Sequence, residues 1–378
     1  MEILGMLFKH LKQMTEKNLE SNVVDCVIGI PSFFSDLQRR LYLDAAQIAG
    51  LTPLMLMHDG TAIAVGYGMY KTDFSNWGPT YVMFIDIGHC DTQVRVAAFE
   101  QGRMKIMSHS FDQNLGGRDF DEVLFKHFAA QFNEKYNIDV YSNAHASIRL
   151  RALCDKVKKV LSANTEAPLS IECLIGDTNV RGLITRDEFE NLSSKLLERV
   201  TVPCRTALKD SGLSADELYT IELVGSGSHI PAITRILISF FRKEPTRTLN
   251  ASECVARGCA LLCAMLSPTL IVHDYKIRKS FPYSIVIPSP QGECMVFPKG
   301  SQFPNQNLLN HPGSTQFYLQ VAYIKERDFP TGISHIVGHF GTGPSETSDS
   351  EKVEVQFKVK LNGRGIVEIN YVTVSIAY

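Results

Sequence analysis

Long apolar runs are missing from this chain. The longest strictly apolar stretch is Cys259 to Leu266, far short of the roughly 20 residues a membrane helix needs, so no membrane partner is expected. A secretory leader is missing as well. Lys9, Lys12 and Lys17 interrupt the apolar residues of MEILGMLFKHLKQMTEKNL, and no small-residue cleavage site follows. Clusters of Lys and Arg are missing, and a formal net charge of −2 with a pI of 6.6 argues against nucleic acid as a partner. Paired cysteines are missing: the nine are odd in number and widely scattered, with no CxxC. Cys259 and Cys263 stand i,i+4 in an apolar helical stretch, where they read as small core residues rather than metal ligands. Unpaired thiols point to a reducing compartment, cytoplasm or nucleus. There is no Walker loop, no dinucleotide fingerprint and no Ser/His/Asp or Cys/His arrangement. None of the 11 histidines is spaced as a metal pair on an evident helix face.

What is present is two textures. The 378 residues exceed one ordinary core, so two or three domains are expected. Up to about residue 266 the pattern alternates between strand and helix. A helical period over 3–19 is followed by the apolar strand VVDCVIGIP. A helix capped by Ser35 or Asp36 and closed by Gly50 comes next, then the strand LMLMHDG, a helix to about 71, and YVMFIDIG. VRVAAFEQGRMKIMSHSF reads as a hairpin turning at Gln101-Gly102. Helices are expected over 119–135 and 144–163, a strand pair near 169–184, a helix after Thr185, the strand IELV before a turn, a helix opened by Pro231, and a helix over 251–266. From 281 the pattern is short strands with period two, an Asn362-Gly363 hairpin turn and no helix. The expected layout is therefore an α/β part over 1–266, a linker over 267–280 and a small antiparallel β domain over 281–378, with 341–351 as a flexible loop.

Four stretches could carry chemistry. In RLRALCDKVKKVLSAN, Asp155, Lys158, Lys159 and Ser162 share the face opposite the apolar positions Leu150, Leu153, Cys154, Val157, Val160 and Leu161. That face reads either as a solvated ion-paired surface or as a cationic wall for a nucleoside and its phosphates. Gly225-Ser226-Gly227 ends a strand before Pro231 and could bring backbone N–H groups to an anion. Gly116-Gly117 is a second such turn. In FIDIGHCDTQV, Asp86 and Gly88 follow an apolar strand. Asp86 could hold a hydrated divalent cation or simply cap a turn.

Taken together, VVDCVIGIPSFFSDLQRRLYLDAAQIAGL, FIDIGH, LGGRDFDEVLFKHFA, RLRALCDKVKKVLSAN, IELVGSGSHIP and NASECVARGCAL resemble, in order and spacing, the 70-kDa heat-shock protein family. FIDIGH, GGRDFDEVLF and GSGSHIPA resemble its large 110-kDa branch, particularly the plant members. The resemblance implies an actin-like ATPase fold followed by a β-sandwich for extended peptides. It implies ATP or ADP with Mg as cofactor. Asp86 and Gly88 would lie in a phosphate hairpin, and Gly116 and Gly117 near the ribose. Asp155, Lys158, Lys159 and Ser162 would touch ribose and base, and Gly225, Ser226 and Gly227 would approach the α-phosphate and sugar. His229 stands where the family often has an Arg over the adenine, and Asp59 where it has a Glu beside the phosphates.

The departures from the family pattern bear on activity. His89, Cys90 and Asp91 replace Gly-Gly-Thr, Gln93 replaces an Asp that helps hold hydrated metal, and Arg118 replaces a Glu by the ribose. The linker SPTLIVHDYK lacks the acidic-flanked leucine run. The family's first phosphate hairpin and its Lys have no counterpart after Met1, and no helical lid precedes Tyr378, so the first lobe is expected to be incomplete and no catalytic residue is assigned. The resemblance thus implies an ATP-binding chaperone or cochaperone of the cytoplasm, with a nuclear location open. It would act as nucleotide exchange factor or holdase with little or no hydrolysis, and its partners would be a 70-kDa chaperone and unfolded polypeptide. An active ATPase chaperone, and a scaffold or remnant that binds no nucleotide, stay open beside it.

Overall fold

The computed structural model describes residues 1–74, 78–270, 272, 274–289, 292–312, 318–324, 329–341 and 353–376. In chain order the first elements are α1 (Glu2–Leu19), β1 (Asp25–Ile30), α2 (Asp36–Ile48), β2 (Thr52–His58), α3 (Asp59–Gly68), β3 (Thr80–Ile87), β4 (Thr92–Glu100) and β5 (Arg103–Asp112). Then come α4 (Gly117–Tyr136), α5 (Ala144–Ala163), β6 (Glu166–Ile175), β7 (Thr178–Thr185), α6 (Arg186–Leu192), α7 (Ser194–Arg199), α8 (Thr201–Ser211), β8 (Thr220–Val224), α9 (Pro231–Phe241) and α10 (Cys254–Leu266). The remainder is β9 (Lys276–Ser280), β10 (Ile285–Ser289), β11 (Gly292–Phe297), β12 (Gln302–Phe303), β13 (Asn305–Pro312), β14 (Tyr318–Tyr323), β15 (Ile336–Gly341), β16 (Val353–Leu361) and β17 (Val367–Ile376). Among the described residues no helix is long and apolar enough to cross a membrane.

The chain divides into two compact units. One comprises Met1–Pro79, Ala97–His109 and Cys254–Tyr378; the other comprises Thr80–Val96 and Ser110–Glu253. In the first unit β1 and β2 pair in parallel as a two-stranded sheet. α3 and α10 close against it around Met57, Ala62, Cys259 and Leu262, with Val27, Met55 and Val255 at the edge. The helix contact depends on a missing side chain: a Cβ on Gly258 would lie 1.9 Å from Ala62 O. α2 starts where the sequence says. Gln38 Oε1 accepts the Ser35 N–H at 2.9 Å while Ser35 Oγ accepts the Gln38 N–H at 3.4 Å, a reciprocal cap.

Several expectations are altered by packing. α1 forms, but its apolar stripe is not buried: Ile3, Leu7, Leu11 and Met14 are exposed. Its contact with α2 is made instead by Gly5, whose Cβ would sit 3.2 Å from Ile48 Cγ2, and by Phe8 edge-on to Tyr42. The span 267–280 holds β9, which pairs in parallel with β5 (Lys276 opposite Arg103). Apart from β12, which pairs with β9, the strands of residues 281–376 form two antiparallel sheets, β11-β10-β14-β15 and β13-β16-β17, with no helix among the described residues. On β16 the alternation holds where it is described: Phe357, Val359 and Leu361 are buried. The hairpin that follows is longer than a two-residue turn. Asn362 N–H reaches Ile366 O at 3.0 Å, and the left-handed residue is Gly365 (φ 72°), not Gly363. The loop expected at 341–351 lies, beyond Gly341, outside the described residues.

The same unit contains an unusual polar cluster. Arg39 is fully buried. Its Nε donates to Phe34 O (3.0 Å), one terminal nitrogen to Arg364 O (3.1 Å) and the other to Ser32 O (3.3 Å). That last nitrogen also lies 2.8 Å from His58 Nε2. A guanidinium only donates, so Nε2 is the acceptor and this imidazole is neutral. Lys279, also buried, donates to Gly363 O at 2.6 Å and sits 4.5 Å over the Phe303 ring. Asp36 Oδ2 accepts the Val367 N–H at 2.8 Å and Arg40 donates to Val367 O at 2.9 Å. The buried Arg39, Lys279 and Asp36, with the exposed Arg40, thereby hold the backbone of the 362–367 hairpin.

Candidate nucleotide site

The second unit assembles three glycine turns on one strand end. β3 and β8 run parallel with Asp86 opposite Val224, so both strands finish side by side. Gly225 follows β8 with φ 80°, and a Cβ there would lie 2.3 Å from Ile87 O and 2.4 Å from Asp86 Oδ1. Neither distance leaves room for any side chain. A Cβ on Gly227 would be less crowded but still too close, 2.8 Å from Ile87 Cγ2 and 2.9 Å from Gly88 O.

The third turn meets the same segment through hydrogen bonds. Gly117 N–H donates to Gly88 O and Arg118 N–H to His89 O, both at 2.9 Å. A Cβ on Gly116 would sit 2.5 Å from His89 O. Asp119 Oδ2 accepts the Gly116 N–H at 2.8 Å and fixes the start of α4. Gly88 N–H closes the 88–91 turn onto Asp91 O at 2.9 Å. Thr92 Oγ1 donates to Leu115 O at 2.7 Å.

Asp86, Gly88, Gly116, Gly117, Gly225 and Gly227 are therefore neighbours, although up to 141 positions separate them (227 less 86). Lys158 joins them from α5: its Nζ donates to Gly117 O at 3.1 Å and lies 2.7 Å from Asp121 Oδ1 and 3.4 Å from Asp155 Oδ1. It is buried and committed to bracing the turn. Lys159 is exposed and pairs with Asp155 at 2.6 Å. Ser162 Oγ donates back to Lys158 O at 3.2 Å. The face read from the sequence as one surface thus splits into an inner brace and an outer ion pair. Val160, expected to face the core, is exposed.

The charges of the site are set by burial. Burial pushes the Asp121 carboxyl up despite the hydrogen bond from Lys158. Asp155 also feels burial, but the Lys159 hydrogen bond and the Lys158 charge win and hold it below the usual carboxylate range. Burial likewise raises Asp91, against the Gln93 hydrogen bond and the charges of Arg118 and Arg95. Gln93 is buried with its Oε1 accepting from the buried Arg95 at 3.2 Å. His89, Ser226 and His229 are exposed. Asp59 belongs to the first unit, where it opens α3 and lies close to Gly29.

Two supports were not read from the sequence. Arg247 grips the 226–229 turn, donating to Ser228 Oγ at 2.8 Å and to Ser228 O at 2.7 Å. Glu222, fully buried in β8, accepts from Thr248 Oγ1 (3.0 Å) and Leu249 N–H (2.8 Å) and so fastens the segment carrying Arg247. A lone carboxylate inside the apolar run TIELV was the available signal. Nothing local marks Arg247.

A mixed α/β protein whose parallel strands end in converging glycine turns defines the class: an ATPase-domain architecture, its sheets consistent with the actin-like fold. The model of the Hsp70 protein family matches residues 1–375, and the chain belongs to that family. It is 56% identical over 379 residues to heat shock 70 kDa protein 16 of Arabidopsis thaliana, covering 98% of this chain and 50% of the relative. It is 50% identical to heat shock 70 kDa protein 15 of the same plant (98% and 46% covered). Identity to heat shock 70 kDa protein 4 of Rattus norvegicus is 40% (98% and 45%). The chain spans about half the length of these relatives. The resemblance read from the sequence is borne out at the level of the family.

Proposed function

We propose that the turns at 86–91, 116–118 and 225–229 form the phosphate and sugar side of an ATP or ADP site in a chaperone or cochaperone of the 70/110-kDa type. The observation that carries this reading is the convergence of Gly116, Gly117, Gly225 and Gly227 on the Asp86–His89 turn, which brings bare backbone together at strand and helix ends where anions are favoured. Lys159 is the cation with an exposed ammonium, and Asp155 beside it is held ionised. The described residues hold no cluster of three or more His, Cys, Asp or Glu that could take a metal ion. Asp86 alone fits a Mg ion carried in by the phosphates, since Mg keeps most of its water and needs only one or two protein carboxylates.

Gln93 and the buried Arg95 favour weak hydrolysis. Phosphoryl transfer depends on placing metal and water, and Gln93, which stands where the family has an Asp that helps hold hydrated metal, is engaged here by the Arg95 guanidinium. The chain then serves as a nucleotide-gated partner, releasing ADP from a 70-kDa chaperone or holding unfolded segments at its antiparallel sheets. Its nine free cysteines suit the cytoplasm.

Isothermal titration with Mg-ADP and Mg-ATP tests the site: heat of binding that weakens several-fold in Lys159→Ala is expected. No heat at high protein concentration overturns the nucleotide reading. Faster ADP release from a 70-kDa chaperone on adding the chain is the outcome expected for exchange, and single-turnover hydrolysis on the minute scale contradicts the claim of weak catalysis.

A further inference from the structure

We infer that the cleft between α2 and the β16–β17 hairpin is a binding site for a small zwitterion, an α-amino acid or the end of a short peptide. It is a cavity of about 360 Å³ in the first unit, separate from the glycine turns. That volume lies within the usual range for small-molecule sites. Leu43, Pro53 and Ile366 give it apolar lining, and Arg40, Asp44 and Arg364 bring charge to it.

The charges are unmatched in a specific way. Arg40 and Asp44 stand one helical turn apart, where an i,i+4 ion pair normally forms. Arg40 is instead turned toward Asp36 (2.5 Å) and Val367 O (2.9 Å). Asp44 is exposed and has no cation within 4 Å among the described residues. Arg364 lends one terminal nitrogen to Pro53 O at 2.9 Å. Its other guanidinium donors, and the second terminal nitrogen of Arg40, have no acceptor among the described residues. One cavity thus holds a guanidinium, that of Arg364, without a carboxylate, and a carboxylate, that of Asp44, without a cation among the described residues. A ligand carrying both an ammonium and a carboxylate satisfies the two sets at once, and guanidinium forks suit carboxylates. A dianion such as phosphate would face Asp44 and Glu368, which also lines the cleft.

Titration of the intact chain with alanine, trialanine, N-acetyl-trialanine and trialanine amide, followed by calorimetry, tests this. Alanine or trialanine should bind, and whichever is tighter identifies the source as free amino acid or peptide end. Blocking either terminus should weaken binding about tenfold. Arg364→Gln should weaken the unblocked probe by a similar factor. Because Arg364 also holds Pro53, Asp44→Asn is the cleaner variant: it should weaken trialanine several-fold yet leave N-acetyl-trialanine unchanged. Absence of binding at 10 mM, equal binding of blocked and unblocked probes, or an Asp44→Asn chain that binds all probes like the parent overturns the proposal.

Discussion

The glycine turns of the second unit and the Arg39 cluster of the first solve the same problem in opposite ways. Both bring distant backbone segments together. Around Gly88 the approach is made by leaving side chains out, and carbonyls are met by the N–H groups of Gly117 and Arg118. Around the 362–367 hairpin it is made by pushing long cations in, and carbonyls are met by Arg39 and Lys279. The first device is rigid and intolerant of any added atom. The second keeps a separation between backbones, but it buries charge and so answers to pH.

The sharpest way to break the comparison is to add one carbon to the first device. Gly225→Ala places a methyl 2.3 Å from Ile87 O, combining backbone strain with overpacking, for a loss of about 3–5 kcal/mol. Gly225→Asn should cost as much, because the obstacle is crowding and not only the positive φ that Asn tolerates. Urea unfolding of the second unit reads both, and equal stability of the Asn variant and the parent would show that space was never limiting.

In the second device the corresponding change is Arg39→Met, which keeps the length and removes the donors. The carbonyls of Phe34 and Arg364 lose the guanidinium, at about 1–3 kcal/mol for each buried group left unsatisfied. Partial recovery through water should bring the total to roughly 3 kcal/mol. Hydrogen exchange should show the 362–367 amides opening first, and unaltered protection there would disprove the clamp.

These two regions also differ in how far they could be read in advance. The glycine turns were legible because a strand ending in two glycines before a helix is a local pattern. Their convergence was not, since it rests on the β3–β8 register. Lys158 and Lys159 looked alike in the sequence. Asp121 on α4 makes one a buried brace and leaves the other a surface cation, and that partner is 37 positions from Lys158 (158 less 121). Arg39 and Lys279 were illegible for a deeper reason. A cation in a polar stretch reads as solvated unless the carbonyls that will receive it are known, and one of the three that receive Arg39 comes from a hairpin more than 300 residues away. β9 was read as linker because KIRKS has no apolar face of its own; its pairing with β5 supplies the order.

Lys279 sharpens the comparison through pH. Burial, and then the charge of Arg39, lower its ammonium from 10.5 to about 8. Between those values the unfolded chain holds the proton and the folded chain does not, so stability must rise with pH across that window and flatten above it. The gain is at most on the order of 3 kcal/mol. Buried thiols such as Cys204, pushed up to about 12, act in the opposite direction as pH passes 9. The quantity to measure is therefore the difference between the parent and Lys279→Met. That difference should grow in favour of the parent from pH 8 to 10.5, and a flat difference would mean that the folded chain holds the lysine proton as tightly as the unfolded chain does.

The smallest effect falls at the start of α2, which carries Asp36, Arg39 and Arg40 into the clamp. Its cap is reciprocal but uneven: the Gln38 half is 2.9 Å and the Ser35 half 3.4 Å. Loss of a good Ser cap costs about 1 kcal/mol. The longer bond puts Ser35→Ala near the low end of that range, about 0.5 kcal/mol, with Gln38→Ala at least equal to it. An isolated helix end would lose only this. Here the cap also aims Asp36, whose N–H donates to Tyr323 Oη at 2.9 Å and whose carboxylate receives Val367 N–H. Pairing each cap variant with Arg39→Met in a double-mutant cycle separates the two roles. Additive losses would mean the cap serves the helix alone; a coupling above about 0.5 kcal/mol would mean that this short polar bond helps set the register on which the buried cations depend.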